Sequence, residues 1–139
     1  MISFEREFFK KIRFTKGEIR RFYDGALRDL KIAQKDPFSE VRFSYSYQAL
    51  IKAGIALIAK AGGVKVRSVP GHHAKIISKM GEILKDPDIL AIGNAMRTKR
   101  NTDLYDGGRP MGKKETDDYL KFTKGIIEKI GEALQRHES

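Results

Sequence analysis

The sequence predicts an all-α domain, an antiparallel bundle of four or five helices, and three observations carry that expectation. Apolar residues recur at intervals of three and four through most of the 139 residues. Pairs containing proline or glycine interrupt the pattern at Asp36-Pro37, Gly62-Gly63, Asp86-Pro87 and Gly107-Gly108. No alternating apolar and polar run is long enough to read as a strand.

Taken in order, residues 1–13 hold Phe4, Phe8, Phe9 and Ile12, which predicts an N-terminal arm or short helix whose aromatics need a surface to cover. Thr15-Lys16-Gly17-Glu18 has the spacing at which a Thr hydroxyl and a Glu carboxylate each satisfy one free amide of a first helical turn. Ile19, Phe22, Tyr23, Ala26, Leu27, Leu30 and Ala33 continue that helix until Asp36-Pro37 stops it. The next helix runs from about Phe38 to Ala61, its apolar stripe formed by Phe43, Tyr47, Leu50, Ile51, Gly54, Leu57 and Ile58. Its small residues Ala49, Ala53, Gly54 and Ala56 allow a neighbour close, which predicts the central position. A basic linker, Val64 to Val69, leads to Pro70 in the first turn of a helix ending at Leu84. Asp86-Pro87-Asp88 reads as a cap, a first-turn proline and an acid favoured by the helix dipole, opening a helix to about Tyr105. Thr116 to about Arg136 forms the last helix.

Composition narrows the function classes. Cysteine is absent, which excludes disulfides and thiolate metal sites. The longest apolar run, Ala53 to Ala59, is far short of the roughly 20 residues a membrane crossing needs. Met1 to Arg13 mixes charges among its aromatics and does not read as a signal peptide, so a cytoplasmic protein without a membrane partner is expected. The net charge of +10 favours an anionic partner. From Val41 to Gly81 the sequence holds no Asp or Glu, yet carries Arg42, Lys52, Lys60, Lys65, Arg67, Lys75 and Lys79. Such a span points to phosphate binding.

The sharper signal is polar residues on apolar stripes. On the helix after Pro87, Ile89, Ile92, Gly93 and Met96 are followed by Arg100, which at 100° per residue points within about 40° of Met96 and Leu104. A guanidinium aimed inward needs an anion or a carboxylate such as Asp24, Asp29 or Asp103. Arg97, Asn101 and Tyr105 follow one another at four-residue spacing on an adjacent stripe. His73 falls on the face of Ile76, Ile77 and Met80, while His72 is expected to be exposed. Imidazole suits proton transfer near neutral pH, although a histidine on an apolar stripe is more often a hydrogen-bonded core residue. Two adjacent histidines cannot share a helix face, so neither a metal nor a cofactor is expected. The candidate catalytic set is Arg100, Asn101, Tyr105 and His73; the candidate phosphate-binding set is Arg97, Lys99, Arg100, Lys65, Arg67 and His72.

Ser46 to Ala53, Arg67 to His73 and above all Arg97 to Gly107 together resemble the HEPN superfamily, small helical domains named for higher eukaryotes and prokaryotes nucleotide binding. The resemblance covers about Thr15 to the C-terminus. It implies one HEPN-like domain over residues 1–139, a homodimer, RNA or a nucleotide as ligand, and a place in a toxin–antitoxin or RNA-processing system. Nuclease members of that family pair an Arg with a His four to six residues later and cut RNA without a metal. Arg100 and Asn101 match that pattern, but position 105 is Tyr and no His follows before His137. A phenol titrating near 10 is a poor base at neutral pH. Binding is therefore expected ahead of cleavage, with two alternatives: a metal-independent endoribonuclease, and a partner of a nucleotidyltransferase docked through Phe4, Phe8 and Phe9.

Overall fold

The computed structural model describes residues 2–106 and 111–136, with the side chains of 103–106 outside the description. Its order is β1 (Phe9–Lys11), α1 (Lys16–Lys35), α2 (Ser39–Gly62), β2 (Val64–Val66), α3 (His72–Leu84), α4 (Pro87–Asp106) and α5 (Lys113–Arg136). The all-α bundle stands, with one addition. Each expected helix is present, and the local chemistry sets the ends. Thr15 Oγ1 accepts from the Glu18 amide at 3.1 Å while the Glu18 carboxylate accepts from the Thr15 amide at 2.9 Å. Gly63, at φ 61°, closes α2 in the left-handed region where a side chain would be strained. The Asp86 carboxylate accepts from the Asp88 amide at 3.0 Å and so caps α4.

The addition is an antiparallel pair of strands in which Phe9 faces Val66 and Lys11 faces Val64. The N-terminal segment is thus neither a loose arm nor a helix: a turn at Glu5 leads into β1, and residues 64–66 are a strand within the expected linker. Three residues are too few to display a period, but the physics is visible afterwards. Val64 and Val66 turn inward and Lys65 outward. Phe9 is buried, worth about 1.5–3 kcal/mol, and Phe4 meets it edge-on. Phe4 and Phe8 are half-buried against the core, so of the three aromatics proposed for partner docking Phe9 is covered by this chain itself and the other two are covered in part.

Helix α2 is central, packing against α1, α5 and α3 and reaching α4. Two glycines bring α3 unusually near its neighbours. A Cβ on Gly54 of α2 would come within 2.5 Å of Met80 Sδ, and one on Gly93 of α4 within 2.8 Å of Ile77 Cγ2. Helix α3 is therefore wedged between α2 and α4, which brings its first turn beside Tyr47 and Arg100. Among the described residues no helix is long and apolar enough to cross a membrane.

Candidate functional site

Ser68 to Ala74, together with Arg97, Arg100 and Asn101, line an open cleft of about 400 Å³ between the start of α3 and α4. Among the described residues its lining contains two guanidiniums, two imidazoles and no acid. Arg100 reaches it as helical periodicity predicts. Met96, one turn earlier, is fully buried, and the Arg100 guanidinium lies over the Tyr47 ring, 5.5 Å from its centroid. That distance suits a cation–π contact on an aromatic removed from water. Arg97 is held from the preceding turn by Nε donating to Asn94 Oδ1 at 3.3 Å.

Beneath the guanidiniums lies a polar pair. Tyr47, 1 % exposed, has its hydroxyl 3.0 Å from His73 Nδ1. Burial pushes the phenol up to about 12 against the opposing pull of Arg100 and Arg97, so it keeps its proton. Burial also drives His73 down to about 4, helped by His72, Arg100 and Arg97, so at neutral pH its imidazole is uncharged. A base of that strength, with one nitrogen engaged by a phenol, is poorly matched to proton transfer at pH 7. His72 is half-buried rather than exposed; its Nδ1 donates to the Val69 carbonyl at 2.8 Å, and the two imidazoles meet with centroids 4.4 Å apart.

Of the predicted phosphate contacts, Arg97, Arg100 and His72 share this cleft, with Asn101 and His73 from the predicted catalytic set. The other three phosphate candidates do not. Lys99 points toward α5, its ammonium 3.5 Å from Glu115. Arg67 Nε donates to the Arg6 carbonyl, and Lys65 stands on the outward face of β2. The Tyr105 side chain and residues 107–110 lie outside the described residues, as does the Asp103 side chain. The other two carboxylates suggested for Arg100 are engaged elsewhere: Asp24 binds Arg20 at 3.0 Å and Asp29 binds Lys52 at 2.8 Å.

The acid-free stretch of sequence is not acid-free in space. Arg42 meets Asp117 at 2.6 Å and Lys52 meets Asp29, which is 2 % exposed. Lys75 and Lys79 both reach Glu5, at 3.3 and 3.0 Å, and this double contact holds the Glu5 carboxyl at about 2. Four of the seven cations in that span are thus matched by acids from other elements, which removes it as an argument for a continuous phosphate track. Tyr47 is the residue that helical periodicity hid, because in an apolar stripe a tyrosine reads as packing. Its signal is that a buried phenol needs a hydrogen-bond partner.

Among the described residues no group of three or more His, Cys, Asp or Glu could hold a metal ion. Comparison with protein-family models, with curated proteins and with solved structures gave no match.

Proposed function

We propose that the cleft between α3 and α4 binds RNA or a nucleotide through a phosphate group, as a HEPN-like domain would. One observation carries the reading: Arg97 and Arg100 converge with Asn101 on a cleft whose lining, among the described residues, holds no acid. Guanidinium donors fit phosphate oxygens in pairs, and an open cleft leaves them accessible to a ligand. Asn101 adds a neutral donor and acceptor at the rim. The neutral, hydrogen-bonded His73 favours binding over cleavage.

The test is a fluorescence-anisotropy titration of a short single-stranded RNA at several salt concentrations. Affinity should fall steeply with salt, and Arg100→Ala should weaken it at least tenfold. Unchanged binding in that variant would remove the cleft from consideration. The same reactions, run with EDTA, report on the endoribonuclease alternative through fragments with 2′,3′-cyclic ends. Sedimentation of the free chain reports on the homodimer.

A further inference from the structure

We propose that Tyr47 and His73 are positioning residues for this cleft: the Tyr47 hydroxyl donates to His73 Nδ1, fixing an imidazole that carries its proton on Nε2, while the Tyr47 ring seats the Arg100 guanidinium. The proposal rests on the binding reading above for its functional meaning, but its geometry stands independently. Three elements meet here, Tyr47 from α2, His73 from α3 and Arg100 from α4, and the tyrosine touches both of the others.

The direction of the hydrogen bond follows from acidity. A phenol is a good donor and a poor acceptor, and the bare nitrogen of a neutral imidazole is a good acceptor. With Nδ1 accepting, the ring proton must sit on Nε2. His72 has the opposite arrangement, because the Val69 carbonyl can only accept and so requires a proton on its neighbour's Nδ1. Adjacent histidines on one helical turn thereby use Nδ1 in opposite roles, one accepting and one donating. Among the described residues, the titratable and charged groups around His73 are His72 on its own helix, Tyr47 from α2, and Arg97 and Arg100 from α4. His72, Arg97 and Arg100 oppose an imidazolium, and Tyr47, a neutral phenol, brings no negative charge to offset them. The cleft therefore joins two fixed positive charges to an uncharged imidazole.

Tyr47 thus has two separable duties. Its ring face holds Arg100, a contact that Tyr47→Phe keeps and Tyr47→Leu loses. Its hydroxyl sets His73, a contact that both substitutions lose.

Long-range ¹⁵N correlation spectra of the histidines in the full-length protein separate these duties. In the wild type at pH 7, His73 should show the Nε2-protonated neutral tautomer and His72 the Nδ1-protonated form. In Tyr47→Phe, His73 should lose its single tautomer and titrate at a higher pH than in the wild type. An Nδ1-protonated or charged His73 at pH 7 in the wild type, or an unaltered His73 in Tyr47→Phe, overturns the hydroxyl's role. For the ring, the same single-stranded RNA probe should bind Tyr47→Phe within about threefold of wild type and Tyr47→Leu at least fivefold more weakly. Adding Tyr47→Leu to Arg100→Ala should then bring no further loss, whereas a full additional loss overturns the seating. If Tyr47→Leu does not fold, Arg100→Lys serves instead, since a point ammonium loses planar stacking on an unaltered ring; full retention of affinity would count against the seat. Should Arg100→Ala leave RNA binding unchanged, the functional reading fails while the spectra still decide the tautomers.

Discussion

Two stretches of α3 handle positive charge in opposite ways. In its middle, Lys79 is 4 % exposed and its ammonium is held by Glu5 at 3.0 Å, with Lys75, one turn earlier, on the same carboxylate. At its N-terminal turn, His72 and His73 face Arg97 and Arg100 across a cleft whose described lining holds no acid. A buried cation that is matched serves the fold, and the N-terminal segment is fastened to the bundle by this means. Arg97 and Arg100 are half-buried at a cleft whose described lining offers no counter-charge, the arrangement on which the proposed ligand site rests. The two arrangements differ in how each cation is matched, which a net charge of +10 does not tell.

This contrast can be broken or sharpened by substitution. The largest effect is expected at the cleft: Arg97→Ala combined with Arg100→Ala should weaken RNA binding about a hundredfold, roughly 2.8 kcal/mol, in anisotropy titrations. Its unfolding free energy should stay within about 0.5 kcal/mol of wild type in urea melts. Glu5→Ala should show the reverse, a stability loss of about 2 kcal/mol because Lys79 is left buried with Glu82, 3.6 Å away, as its remaining acid among the described residues, and RNA affinity changed by less than about twofold. If Glu5→Ala weakened binding as much as the double arginine variant, the two stretches would not be separate.

Acid unfolding sharpens the same comparison. His73 sits at about 4 in the fold against an ordinary 6.5, so the unfolded chain takes up that proton first and stability falls as pH drops from 6.5 to 4. Glu5 sits at about 2 against 4.5, so its contribution is complete above 4.5 and is lost as pH falls from there toward 2. Thermal melts across pH should therefore decline in two stages. His73→Asn should flatten the upper stage, and Glu5→Gln the lower one while reducing stability at pH 7. The smallest effect is expected from Lys65→Ala with Arg67→Ala, which lie outside the cleft lining and should weaken RNA binding less than about threefold.

What the sequence made legible follows how local the physics is. The reciprocal cap at Thr15 and Glu18, the glycine stop at Gly63 and the Asp86 cap depend on residues within one turn, and each appears where spacing places it. Arg100 was legible for the same reason, since helical geometry alone carries its side chain to the face of Met96. The strands were not, because Phe9 pairs with Val66 and three residues show no periodicity. Nor was the matching of Lys79 by Glu5, whose partners stand 74 positions apart. Tyr47 was visible as a core residue and concealed as a polar one: its partner is 26 residues away on another helix. The expectation of exposed aromatics did not hold for Phe9, which is buried in a strand pairing with Val66 that the sequence did not announce, while Phe4 and Phe8 are half-buried.

Gly54 and Gly93 leave one consequence. Each omits the single carbon that would push α3 away from a flanking helix, one on either side. The separation of Tyr47, His73 and Arg100 is therefore gauged by two missing methyl groups rather than by any residue that touches a ligand. Enlarging either position, even to alanine, should act as a spacer that retunes the cleft from a distance.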